Sequence, residues 1–95
     1  MSLLTIMAKI KAKQNAIEKV REELFKLVEP TYKEKGCVDY ILYQGNEDPS
    51  VFMFYENWET SEDLDAHMNS KHFNDCFAEI DGLYELEAHR LTKLR

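Results

Sequence analysis

Two histidines stand close together in Ala66-His67-Met68-Asn69-Ser70-Lys71-His72-Phe73, and the chain has one other, His89. On a continuous helix their five-residue spacing turns about 500°, which leaves the two rings about 140° apart. Ser70 is a helix-capping type and predicts a break between them as well. On this reading the rings face different ways. No His-Glu-x-x-His run, cysteine cluster or facial His-His-carboxylate spacing occurs elsewhere, so the expectation is that no metal is bound.

His67 follows Leu64 by three residues and precedes Met68, at the edge of an inward-facing stripe. A half-buried imidazole there could titrate near neutrality and act as a general base. It could equally be a structural histidine bonded to a backbone carbonyl. His72, in the first turn after Ser70, is expected near solvent. His89, between Glu87 and Leu91 on one strand face, reads as part of an interface or a surface pair. Glu56 shares a strand face with Phe52, Phe54 and Trp58. A carboxylate on such a face needs a partner or a raised pKa. It would orient a histidine or a substrate hydroxyl, or else complete a structural pair. Trp58 is either the wall of an aromatic pocket or plain core. Cys37 and Cys76 have no metal-type spacing.

The elements that must position these groups follow from periodicity. Leu3 to Lys11 alternates as a strand, with Leu4, Ile6, Ala8 and Ile10 on one face. Ile17, Val20, Leu24, Leu27 and Val28 recur at helical spacing, with Asn15 as the expected N-cap and Glu18 completing a capping box. Pro30 is expected to kink or end this helix, with a turn running to Gly36. Cys37 to Gln44 reads as a second strand and Val51 to Trp58 as a third, joined by turn chemistry at Asn46 to Pro49. Thr60 or Ser61 opens a short helix and Ser70 another, whose stripe is Phe73, Cys76, Phe77 and Ile80. Asp81-Gly82 closes that helix, and Tyr84 to Lys93 alternates as a fourth strand. The order β-α-β-β-α-α-β predicts an α+β, ferredoxin-like subunit with an antiparallel sheet. Val51, Met53 and Tyr55 make the second face of the third strand unusually apolar. One helical layer covers one face, so a homodimer is expected to cover the other.

The 95 residues make one domain, 1–95, whose own core is thin. An apolar fraction of 44% with 32% charged residues is that of a folded globule rather than a disordered chain. The net charge of −6 and scattered Lys and Arg argue against nucleic acid. No run of about 20 apolar residues spans a membrane, and no signal-peptide pattern is visible. Two isolated thiols then suggest a reducing, cytoplasmic setting. Nucleotide loops, nucleophile elbows and acidic metal clusters do not occur.

The run Tyr55 to Phe73 (YENWETSEDLDAHMNSKHF) resembles the antibiotic biosynthesis monooxygenase family, which includes the quinol monooxygenases. The matching positions are Glu56, Trp58, Ser61, Ala66-His67 and His72-Phe73. Pro30-Thr31, Gly36-Cys37, Tyr40 and Asp48-Pro49 extend the likeness upstream. The resemblance implies a ferredoxin-like subunit paired with its twin as a dimeric α+β barrel. It also implies oxidation of a quinol or polyphenol by O₂ with no cofactor. His67 would be the base and Glu56 its orienter, with Trp58, Tyr40, His72 and Phe73 on the substrate side. Haem-degrading relatives carry an Asn, a Trp and a His where this chain has Met7 or a neighbour, His67 and Phe77, so that activity is not expected. A second branch, isomerases of a phosphorylated hydroxy-ketone from autoinducer breakdown, shares the His67, His72-Phe73 and Cys76 pattern. A non-catalytic dimer binding a small ligand is the third possibility.

Overall fold

In the computed structural model, which describes residues 3–95, the chain forms β1 (Leu4–Ala12), a 3₁₀ turn (Gln14–Ala16), α1 (Ile17–Tyr32), β2 (Cys37–Gln44), β3 (Val51–Trp58), α2 (Ser61–Met68), α3 (Lys71–Glu79) and β4 (Tyr84–Leu91). The strands form one antiparallel sheet in the order β2-β3-β1-β4. This is the expected α+β, ferredoxin-like order. β1 alternates as its sequence requires, burying Ile6, Ala8, Ile10 and Ala12 while Met7, Lys9 and Lys11 point the other way. The buried face meets Val20, Leu24 and Leu27 of α1, and Leu64, Cys76 and Ile80 from the α2–α3 region.

Helix ends differ from the sequence reading in two places. Asn15 does not cap α1, because the chain winds into the 3₁₀ turn directly from Lys13. The Lys13 amide donates to the Leu83 carbonyl at 2.9 Å, and its own carbonyl accepts from Ala16 N at 2.9 Å. Helical winding has therefore begun before Asn15, and Ala16 takes the α1 cap position with no side-chain bond. Pro30 does not stop α1, which runs on to Tyr32. The donor missing from Pro30 falls in the last turn, where Thr31 Oγ1 donates to the Leu27 carbonyl at 2.7 Å. β4 also ends at Leu91, two residues short of the expected Lys93.

The other sheet face carries no helix among the described residues. Met7, Tyr43 and Leu91 are exposed on it, and Val51, Met53 and Tyr55 are half-buried. Near one end of it, Asn57 donates to Asp39 Oδ2 at 2.9 Å and to the Tyr55 hydroxyl at 2.8 Å.

Candidate active site

His67 lies in the last turn of α2 and is 1% exposed. Thr60 starts that helix by accepting from Asp63 N at 3.1 Å. The imidazole sits among the rings of Trp58, Phe73 and Tyr40, with centroids 4.9, 5.0 and 5.2 Å away. Its Nδ1 is 2.7 Å from Glu34 Oε2. His72 Nε2 reaches the same oxygen at 2.8 Å. The expectation that the two rings turn apart is therefore corrected: they converge on one carboxylate. Ser70 does break the helix, but its Oγ donates to the His67 carbonyl at 2.6 Å and accepts from Phe73 N at 3.3 Å. Tying the end of α2 to the start of α3 folds the second helix back, and His72 comes round with it.

Glu34 is the site residue that the sequence reading missed. It lies in the turn after α1, between the C-cap Lys33 and the second strand. Gly36 allows that turn, since its φ of +81° favours glycine and a Cβ there would collide with the Asp63 side chain. Glu59 N donates to the Gly36 carbonyl at 2.9 Å, fastening the turn beside the start of α2. One signal was present in the sequence. An acid just past a helix C-terminus faces the negative end of the helix dipole and needs donors from elsewhere.

Glu56 is on the covered face of β3, between Tyr40 of β2 and Ile6 of β1. Its Oε1 accepts from Trp58 Nε1 at 2.9 Å. The carboxylate bonded to His67 is Glu34, so the expectation that Glu56 orients His67 is corrected. A residue and its second neighbour along a strand share a face, which brings the indole rather than the imidazole to Glu56. Burial pushes the Glu56 pKa up to about 7; the Trp58 bond opposes this and the Glu34 charge adds to it. Burial also lowers the pKa of His67 below its ordinary 6.5, against the hydrogen bond and charge of Glu34, with His72 lowering it further.

Between the sheet and α2–α3 lies a cavity of about 180 Å³, lined mainly by apolar side chains, Phe73 among them, together with Tyr40, Glu56, His67, His89 and Arg90. Trp58 and His72 are not in its lining; Trp58 is fully buried behind Glu56. Among the described residues no fully buried side-chain nitrogen or oxygen lacks a hydrogen-bond partner. Among the described residues His67 Nε2 and Glu56 Oε2 have no protein hydrogen-bond partner, so each keeps contact with open space, and both side chains line the cavity. A nitrogen that can accept a proton and a carboxyl that holds one below about pH 7 thus share a mainly apolar cavity. Burial raises Tyr40 well above the ordinary phenol range, which keeps its hydroxyl a donor. Cys37 and Cys76 are pushed up to about 11 and about 12, chiefly by burial, so neither is a thiolate nucleophile near neutrality. An open groove of about 780 Å³ between α1 and β2 is larger, but its charged groups, Lys26, Glu29 and Lys33, are solvated rather than convergent.

The family pattern of the antibiotic biosynthesis monooxygenases matches residues 3–79. Among solved structures, PA3566 from Pseudomonas aeruginosa superposes with a TM-score of 0.95 at 30% identity, covering 100% of this chain and 97% of that one. A structure described as an antibiotic biosynthesis monooxygenase gives 0.91 at 28% identity, covering 97% and 99%. The curated relatives are less complete matches. YjcS of Bacillus subtilis is 32% identical over 59% of this chain and 53% of its own length. The match to sll1783 of Synechocystis, 31% identical, covers 50% of this chain and 33% of that protein. The chain thus spans about a third to a half of the curated relatives it matches. The family pattern covers four-fifths of the sequence and the fold agrees from end to end: this chain belongs to the antibiotic biosynthesis monooxygenase family.

Proposed function

We propose that the protein is a cofactor-independent monooxygenase that oxidises a small, single-ring hydroxylated aromatic, a quinol or simple polyphenol, with O₂. The observation that carries this reading is the mainly apolar cavity lined by His67 and Glu56, whose Nε2 and Oε2 are free of protein partners among the described residues. About 180 Å³ suits one substituted ring, since engineered cavities of about 150 Å³ hold benzene. His67, with Nδ1–H donated to Glu34, presents the Nε2 lone pair and removes a phenolic proton. The electron-rich phenolate passes one electron to O₂, the two radicals join on a ring carbon that still bears hydrogen, and His67 returns its proton to the peroxide to give a hydroperoxide. Glu56, protonated below about pH 7, gives its proton to the departing oxygen. Water leaves, the carbon loses its hydrogen as a proton to a base, and a C=O remains. Substrate plus O₂ thus becomes quinone plus H₂O. An apolar wall keeps water from diverting the intermediate.

Oxygen-electrode assays with a panel of single-ring hydroquinones test the reading. Enzyme-dependent uptake of one O₂ per quinone formed is expected, and no uptake with any member overturns it. A second reading, isomerisation of a small phosphorylated hydroxy-ketone, is favoured by Arg90, a cation in the cavity lining. Deuterium entering such a substrate from solvent, without O₂ consumption, would select it. Tight binding with neither turnover would select a ligand-binding module. The same proposal pairs two copies through the uncovered sheet face bearing Met7, Tyr43 and Leu91. A sedimentation mass near 11 kDa at micromolar concentration would contradict the pairing.

A further inference from the structure

His67 and His72 reach Glu34 Oε2 through different nitrogens, Nδ1 of the first and Nε2 of the second. The three donor atoms all lie within 4.8 Å of one another. Two imidazole nitrogens and a carboxylate oxygen form a donor set for a divalent ion of the zinc type, which takes three protein ligands and a water. The N···O separations of 2.7 and 2.8 Å are hydrogen-bond lengths, shorter than the roughly 3.4 Å edge of a tetrahedral shell built on bonds of about 2.1 Å. A small displacement of Glu34, which is carried on a turn, would open that shell. The Glu34 and His72 side chains are 15% and 29% exposed, so ion and water can enter from solvent, whereas His67 forms the buried floor.

We propose that Glu34, His67 and His72 bind a divalent zinc-type cation on the side of the His67 ring away from the cavity, and that occupancy switches the cavity off. The switch follows from the imidazole. Without the ion, Nδ1 carries hydrogen towards Glu34 and Nε2 offers its lone pair. A cation on Nδ1 takes the lone pair there, and the neutral ring must carry its hydrogen on Nε2. One proton leaves Nδ1, one arrives at Nε2, and the ring charge is unchanged. Nε2 becomes a donor and can no longer accept a substrate proton. This second half rests on the proposed role of His67 as base; the site itself does not.

Untagged, chelator-stripped full-length protein is titrated with Zn²⁺ against a chromophoric chelator. One ion per chain is expected for the wild type. His72→Ala and Glu34→Gln should each weaken binding about tenfold or more while keeping the wild-type circular dichroism. Substoichiometric binding, or wild-type affinity in both folded variants, overturns the site. Imidazole ¹⁵N spectra read the switch without any substrate. On adding Zn²⁺, His67 Nε2 should move from the lone-pair range to the N–H range, and an unmoved signal overturns the switch. Zn²⁺ should also halt hydroquinone-dependent O₂ uptake, while residual turnover of His72→Ala resists the same concentration. Absence of turnover in every sample would count against the oxygenase reading alone, because the chelator and ¹⁵N measurements still report the site.

Discussion

Two glutamates flank His67, and their surroundings divide the work between them. Glu34 sits on a turn behind the ring, 15% exposed, with two histidine nitrogens on one oxygen. Glu56 sits on a central strand in front of the ring, 6% exposed, with one indole donor. The first is an acceptor that fixes the tautomer and direction of His67. The second is a desolvated carboxyl whose pKa rises to about 7, a proton donor at the edge of neutrality. In the proposed reaction Glu34 is the orienter and Glu56 the acid, and position relative to donors and solvent, rather than residue type, separates the two roles.

The comparison is tested most severely at the ring between them. His67→Ala should lower turnover about 10²- to 10⁴-fold, the usual worth of a positioned base, with the fold retained by circular dichroism. An unchanged rate removes His67 from the chemistry. Glu34→Gln should cost less, about tenfold to a hundredfold, comparable to losing the orienting partner of a metal-bound histidine. Its acid limb should move as well, because the Glu34 charge and hydrogen bond support the protonated ring. A loss as large as that of His67→Ala would make Glu34 more than an orienter.

Glu56 should reveal itself through pH. The base is competent above the lowered pKa of His67 and the acid below about 7, so wild-type turnover should peak between those two limits, on the acid side of pH 7. Glu56→Gln should lose the alkaline limb. Stability should respond in the same variant. A carboxyl whose pKa is raised on folding contributes stability that is complete below about 4.5 and lost as the pH rises through about 7. The loss amounts to about 3 kcal/mol. Urea midpoints at pH 5 and pH 8.5 should therefore favour Glu56→Gln at the higher pH. Parallel midpoints for both proteins would mean that Glu56 is not desolvated in solution.

The sheet was legible because its signals are local. The Ile6-Ala8-Ile10 alternation and the Val20-Leu24-Leu27 stripe each state which face is buried, and the structure buries those faces. The family signature gave Tyr40 and Phe73, both of which line the cavity. What escaped depends on contacts distant in sequence. Glu34 meets residues 33 and 38 positions away, and nothing periodic marks a turn residue. The direction in which Ser70 bends the chain was also hidden. A capping residue predicts that a helix stops, whereas the return of His72 depends on where the Ser70 hydroxyl finds its second partner. Asn15 failed as a cap for a related reason, since Lys13, anchored by the distant Leu83 carbonyl, had already started the turn by accepting from Ala16 N.

The finest test separates two causes that oppose each other at Glu56. Burial raises its pKa and the Trp58 indole lowers it, with burial the larger. Trp58→Phe removes the donor and keeps an aromatic ring in the fully buried site, at the cost of a smaller side chain and a modest loss of stability. With the indole bond gone, the ionised carboxylate loses its stabilising partner, so the pKa should climb further and the alkaline limb should shift to higher pH. Turnover at the optimum should change far less than in the glutamate or histidine variants. A limb that stays in place would mean that water supplies the missing bond and that the site is wetter than its apolar lining implies. A limb that moves down would overturn the assignment of Trp58 as the donor to Glu56.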